Sequence, residues 1–220
     1  MVVSGSDKAF QVRPLLEMIE QELVGAYFES NGFFVRQLNE PASTEGKRKL
    51  DPLPVLSVMN PRSPGNQLSA ETRLFTGDLV KIKTALVGVL GWSNSTFSSA
   101  DLNSDARQTK FFSQQVDAIR VSECFDSVGR KLESGFEAFL KLLVVPCLPS
   151  NNERSKKVLD RLKSFQVDGV ITLKSIMENL LRQTLPSRNI ERREVFNLLR
   201  LIKAYGLSKD PQTEMFEESV

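Results

Sequence analysis

The chain has 220 residues, 40% of them hydrophobic and 25% charged, enough for one globular domain with a sizeable core. Its 29 basic and 27 acidic residues leave a net charge of +2, too small to require a nucleic-acid or membrane partner unless the charge is locally clustered. Histidine is absent, which removes Ser-His-Asp and Cys-His catalysis and H-x-x-x-H metal sites from this chain.

Residues 1–9 are small and polar and are expected to fray. Val12, Leu15, Leu16, Ile19, Leu23, Ala26 and Tyr27 then recur at helical spacing, with Glu17, Glu20 and Glu22 off that stripe. Asn31-Gly32 is a helix stop, and Phe33–Leu38 is a predicted strand. Residues 39–52, with Lys47, Arg48 and Lys49, make a polar connection. Leu53–Met59 is a second predicted strand, whose start is held to an edge or bulge by Pro54. Asn60–Asn66 is turn chemistry. Leu74, Leu79, Val80 and Ile82 predict a helix over 69–83, weakened by Gly77.

Ala85–Trp92 is apolar on both faces and predicts a central strand buried on two sides. A Ser-, Asn- and Asp-rich loop over 93–106 precedes one long predicted helix over 107–134, with Phe111, Val116, Ile119, Phe125, Val128 and Leu132, ended by Gly135. Phe139–Cys147 is another apolar strand, closed by Pro149. Asn151-Asn152 caps a helix that buries Val158, Leu159, Leu162 and Phe165, and Val167–Leu173 is the next strand. That strand, helix and strand predict a parallel, right-handed βαβ unit. Two helices finish the chain. One buries Ile176, Met177, Leu180 and Leu181; the other, capped by Asn189, buries Val195, Leu199, Ile202 and Tyr205 and stops at Gly206. The last helix is apolar enough to pack on its own domain or on a twin. Residues 208–220 are expected to be loose.

No repeat or composition shift divides the chain, so a single domain over 1–220 is expected. The fold class is α/β: a mixed central sheet of about five strands flanked by helices, with a C-terminal helical pair. Cys124 and Cys147 are isolated and read as reduced thiols in or near a core. No apolar run reaches about 18 residues and no signal-peptide pattern opens the chain, so no membrane partner and a cytoplasmic location are expected.

The order helix, strand, strand, (helix), strand, helix, strand resembles the core of the PD-(D/E)XK nuclease superfamily, the restriction-endonuclease-like fold, over residues 12–175. The local texture that carries the resemblance is LVGAYFESNGFF at Leu23–Phe34 and a strand ending in Gly91-Trp92. The resemblance implies an Asp at the second strand and E-x-K on the third, with the carboxylates holding Mg²⁺ and the Lys stabilising charge. In this chain Gly88 stands where the acid belongs and Leu90 where the Lys belongs, and Leu53-Pro54-Val55-Leu56 holds no acid. The resemblance thus implies a nuclease-like scaffold with its metal site erased and no cofactor. A relocated site would draw on Glu22 or Glu20, on Asp51, and on Asp78 or Glu71, with Lys81 or Lys83 nearby, and only that site would need Mg²⁺. Surface charge on amphipathic helices is the plainer use of these residues.

No Gly-rich phosphate loop is present, and Ser4-Gly5-Ser6 is no nucleophile elbow. Ser93–Thr96 could line a cleft at a strand end, where α/β sheets bind ligands, although Trp92 is more readily a packing residue. Arg154, Lys157 and Arg161 on one helix, with Arg188, Arg192 and Arg193 marking the C-terminal helices, are the candidates for one positive face that would meet phosphates. No aromatics are interleaved with them, and a solvated face paired with nearby acids is the plainer alternative. The leading expectation is a non-catalytic nuclease-like domain that binds a protein partner or itself. A nucleic-acid-binding pseudo-nuclease comes second and an Mg²⁺-dependent nuclease third.

Overall fold

A computed structural model describes residues 5–38, 53–68, 71–129, 139–184 and 193–208. Helix α1 (Gly5–Ser30) starts within the stretch expected to fray and ends where Gly32 turns to positive φ and the Phe33 N–H donates to the Phe28 carbonyl. Strands β1 (Phe34–Leu38), β2 (Val55–Met59) and β3 (Thr84–Val89) form an antiparallel meander. Strands β4 (Leu140–Val145) and β5 (Gly169–Thr172) extend it in parallel, giving the sheet order β1-β2-β3-β4-β5, so β2 runs against the other four. The chain is therefore α/β with a five-stranded mixed sheet, and the apolar strand read as central is its middle strand.

Alternation along the strands sends side chains into two separate cores. Ala85, Val87, Val89, Leu142, Val144 and Ile171 face one; Leu86, Leu90, Leu143, Val145 and Val170 face the other. The first core is closed by α1, α6 (Leu173–Gln183) and α7 (Glu194–Ala204) through Tyr27, Phe28, Ile176, Leu180 and Leu199. The second is closed by α3 (Asp105–Gln114), α4 (Ala118–Gly129) and α5 (Asn152–Ser164) through Phe111, Phe112, Phe125, Val158 and Leu162. A short helix, α2 (Ser99–Leu102), lies in the loop before α3.

Three predicted elements differ. The helix expected over 69–83 is only a 3-10 turn at Thr76–Lys81. Before it, residues 72–74 run extended beside β5: the Leu74 N–H donates to the Val170 carbonyl, and the Val170 N–H to the Thr72 carbonyl. Leu74 therefore serves a sheet edge, while Leu79 and Ile82, three apart, suit the tighter turn. The long helix over 107–134 breaks at 115–117, because the Asp117 side chain accepts the Arg120 N–H at 2.8 Å and starts a new helix there. The phase resets at that break, so Ile119, expected in the core, faces solvent. In α1, Ala26 and Tyr27 are buried as expected, Leu23 packs partly buried on the core and Ile19 is exposed, while the buried stripe also takes in Glu20 and Val24. Its last two turns are apolar nearly all round, so periodicity did not fix which face turns inward.

The parallel β4-α5-β5 unit, the Asn151 cap of α5 and the stop of α7 before Gly206 follow the sequence expectation. Tyr205 and Met177, expected to be buried, are exposed. The connection at 39–52, Leu132, Gly135 and the Asn189 cap lie outside the described residues.

Candidate functional site

The most constructed polar corner lies where β3 ends. Glu20 on α1 is only 3% exposed, and a carboxylate taken out of water needs donors. It accepts the Trp92 N–H at 2.7 Å, the Ser93 hydroxyl at 2.6 Å and the Ser93 N–H at 3.4 Å. Asn94 closes the turn by accepting the Gly91 N–H at 3.0 Å and donating to the Val89 carbonyl at 2.9 Å. Arg120 on α4 donates to the Asn94 carbonyl at 2.6 Å, which ties the corner to the second helical layer. A Cβ on Gly91 would collide with Glu20 Oε2, so the carboxylate can sit there only because residue 91 has no side chain. Trp92 is half-buried and stacks edge-on against Phe97 at 5.1 Å, the packing role expected for it. Ser93 and Asn94, read as a cleft lining, hold the turn itself. The corner's donors and acceptors are directed inward, so its chemistry is that of a lock on the β3 exit. Glu20's place on the stripe with Val24 and Tyr27 is the sequence signal that could have marked it as buried.

The candidate acids of a relocated site sit on separate partners. Glu22 binds Arg193 Nη1 at 2.5 Å, and the same guanidinium binds Glu29 through Nε at 2.5 Å and Nη2 at 2.6 Å. The hydrogen bonds that Arg193 donates to Glu29, and then the one to Glu22, push its pKa above the ordinary value against the opposing effect of burial. Asp78 accepts Lys81 Nζ at 2.9 Å and the Phe75 N–H at 3.1 Å; these two bonds, the Lys81 one first, hold its carboxyl below the usual range. Glu71 is exposed, and Asp51 lies outside the described residues. Among the described residues no group of three or more Asp, Glu or Cys side chains is placed to hold a metal ion. Glu22 and Asp78 each pair with a basic side chain of this chain, Arg193 and Lys81.

Gly88 and Leu90 point into the second core. A Cβ on Gly88 would meet Cys124 Sγ at 3.0 Å and Leu143 and Phe125 carbons at 3.4 Å, and Leu90 is buried in the same core. An acid and a lysine at these positions would enter hydrocarbon, not a cleft. Cys124 and Cys147 are buried there too, and burial raises their thiols to about 12 and about 11, which makes both poor nucleophiles at neutral pH.

The single positive face expected from the sequence is divided. Arg154, Lys157 and Arg161 lie exposed on α5, in the second layer; Arg193 belongs to the first layer and is bound to Glu22 and Glu29. Arg188 and Arg192 lie outside the described residues. Arg161 also donates to the Ser113 and Val116 carbonyls and lies over the Phe165 ring. Those bonds set α5 beside α3, with Asp105 at the other end accepting the Ser150 and Asn151 N–H groups. Arg107 and Lys110 are exposed on α3, the helix beside α5. No helix of the described residues is long and apolar enough to cross a membrane. The chain matches no protein-family model, no curated protein and no solved structure.

Proposed function

We propose that this chain is a nuclease-like α/β scaffold without nuclease chemistry, degenerate in the PD-(D/E)XK sense, that works by binding a protein partner or a second copy of itself. One observation carries the reading: Gly88 and Leu90, where the resemblance puts the acid and the lysine, lie in the buried second core, and a Cβ at position 88 would meet Cys124, Phe125 and Leu143. The order of helices and strands from α1 to β5 supports the scaffold half of the proposal. Purified full-length chain incubated with DNA and RNA in Mg²⁺ or Mn²⁺ is expected to cleave neither. Robust cleavage lost on Asp51→Ala ends the reading.

A second reading, a nucleic-acid-binding pseudo-nuclease, is favoured by one feature only. The adjacent helices α3 and α5 carry Arg107, Lys110, Arg154, Lys156, Lys157, Arg161 and Lys163 against Asp105, Glu153 and Asp160, a local excess in a chain of net +2. Phosphate binding by such a ridge is steeply salt-dependent. Titration of fluorescent duplex DNA at low salt tests it: no binding, or binding without a salt slope, removes the ridge as the cause.

A further inference from the structure

We propose that two copies of this chain associate through the outer face of α7, packed antiparallel about a two-fold axis between positions 199 and 200; the inference rests on the binding-domain reading above. Val195 and Leu199, with Phe196 and Ile202 beside them, turn inward onto the first core. Glu194, Leu198, Leu201 and Tyr205 form a line on the other side, because steps of four, three and four positions stay on one face of a helix. Tyr205 belongs to that line because its N–H still donates to the Leu201 carbonyl at 3.0 Å. Leu198 and Leu201 are 55% and 52% exposed, and Tyr205 is 78% exposed. Contiguous apolar side chains facing water mark a contact surface more strongly than the same residues scattered.

The spacing itself selects the occupant. Four, three, four reads the same in both directions, so a reversed second α7 sets Leu198 against Leu201 and Leu201 against Leu198. At both ends it sets the Tyr205 phenol, a donor, against the Glu194 carboxylate, an acceptor. A parallel copy would instead put carboxylate beside carboxylate. A surface complementary to its own reversal is what a two-fold dimer requires. One helix pair is a small interface, so the affinity is expected at roughly the micromolar level or weaker.

Sedimentation equilibrium of the full chain, loaded from about 1 µM to about 1 mM, is expected to show the 24.7 kDa mass doubling with concentration. Leu198→Glu and Leu201→Glu each bury a charge in the contact and are expected to weaken it at least about tenfold, with far-UV circular dichroism unchanged. Orientation is tested by oxidative cross-linking, since the native thiols are buried. Glu194→Cys chains mixed with Tyr205→Cys chains are expected to cross-link. Glu194→Cys chains alone are not, because an antiparallel pair holds those positions about 16 Å apart along the axis. A monomer at every concentration, a dimer indifferent to both glutamates, or dominant Glu194→Cys self-linking overturns the proposal. A monomer that cleaves no nucleic acid removes the twin but keeps a different protein partner; metal-dependent cleavage removes the parent reading as well.

Discussion

The two helical layers cover the same sheet by different physics. The α1/α6/α7 layer has directed polar ties: Glu20 to Trp92 and Ser93, Arg193 to Glu22 and Glu29, and Tyr27 to Thr76 at 3.2 Å. The α3/α4/α5 layer is dominated by hydrocarbon and ring contacts, with Trp92, Phe97, Phe111 and Phe112 meeting edge to face in sequence at 5.1–5.3 Å. A layer held by dispersion and burial responds to changed volume and to intruding charge. A layer held by directed bonds responds to a partner left unpaired. Gly88 and Gly91, three positions apart on one strand and its exit, report on the two regimes separately.

The largest effect is expected in the hydrocarbon layer. Gly88→Glu, the acid that the nuclease resemblance calls for, would force a carboxylate against Cys124, Phe125 and Leu143, at a cost of several kcal/mol, about 4 or more. Urea denaturation should show the variant largely unfolded at neutral pH, with no recovery in Mg²⁺. A folded Gly88→Glu chain whose midpoint rises with Mg²⁺ would mean that the position faces a usable site and not the core.

In the polar layer Gly91→Ala is expected to cost about 3 kcal/mol, because its methyl would meet Glu20 Oε2. Glu20→Ala should cost about 2 kcal/mol by leaving the Trp92 N–H without its acceptor. The two should be strongly non-additive, since deleting the carboxylate makes room for the methyl. Additive losses in a double-mutant cycle of urea midpoints would show that the lock does not act as one unit.

The same contrast explains what the sequence made legible. Strands with uniform or alternating hydrophobicity, such as Ala85–Trp92 and Phe139–Cys147, were readable because burial acts on every residue. So were the helix stop at Asn31-Gly32 and the cap at Asn151, where one side chain fixes the backbone. What failed depended on partners distant in sequence. Residues 72–74 became extended because β5 offers them an edge about a hundred positions later. The burial of Glu20 is hidden in the sequence because its donors lie 72 and 73 positions away. Basic character alone groups Arg193 with the cations of α5, although its carboxylates lie on α1, across the sheet. The Asp117 break was readable in principle, as a capping residue inside an otherwise continuous pattern, and periodicity alone passed over it.

Arg193→Ala sharpens the polar side of the comparison. It leaves Glu22 and Glu29 facing each other without their shared cation, and removes the tie between α1 and the start of α7. Both acids are partly solvated, so screening keeps the expected loss to about 1–2 kcal/mol. Hydrogen exchange should rise in α7 first and leave α5 unchanged, since α5 belongs to the other layer. Uniform acceleration in both layers would place the tie outside α7's local stability.

Asp78 gives the smallest effect and the cleanest separation of roles. Its carboxyl is held low by Lys81 and by the Phe75 N–H, so the folded chain keeps it ionised below the pH at which the unfolded chain takes up a proton. That difference stabilises the fold above about pH 4, the ordinary carboxyl range, and is lost as pH falls through the lower folded value. Asp78→Asn should therefore shallow the acid limb of a stability-against-pH curve, by well under about 1 kcal/mol for so solvated a pair. A cap on a 3-10 turn predicts that change with no response to divalent cations. A metal-binding carboxylate predicts the reverse, an Mg²⁺-dependent midpoint in the native chain that the Asn variant lacks. Thermal melts at two pH values, with and without Mg²⁺, decide between them.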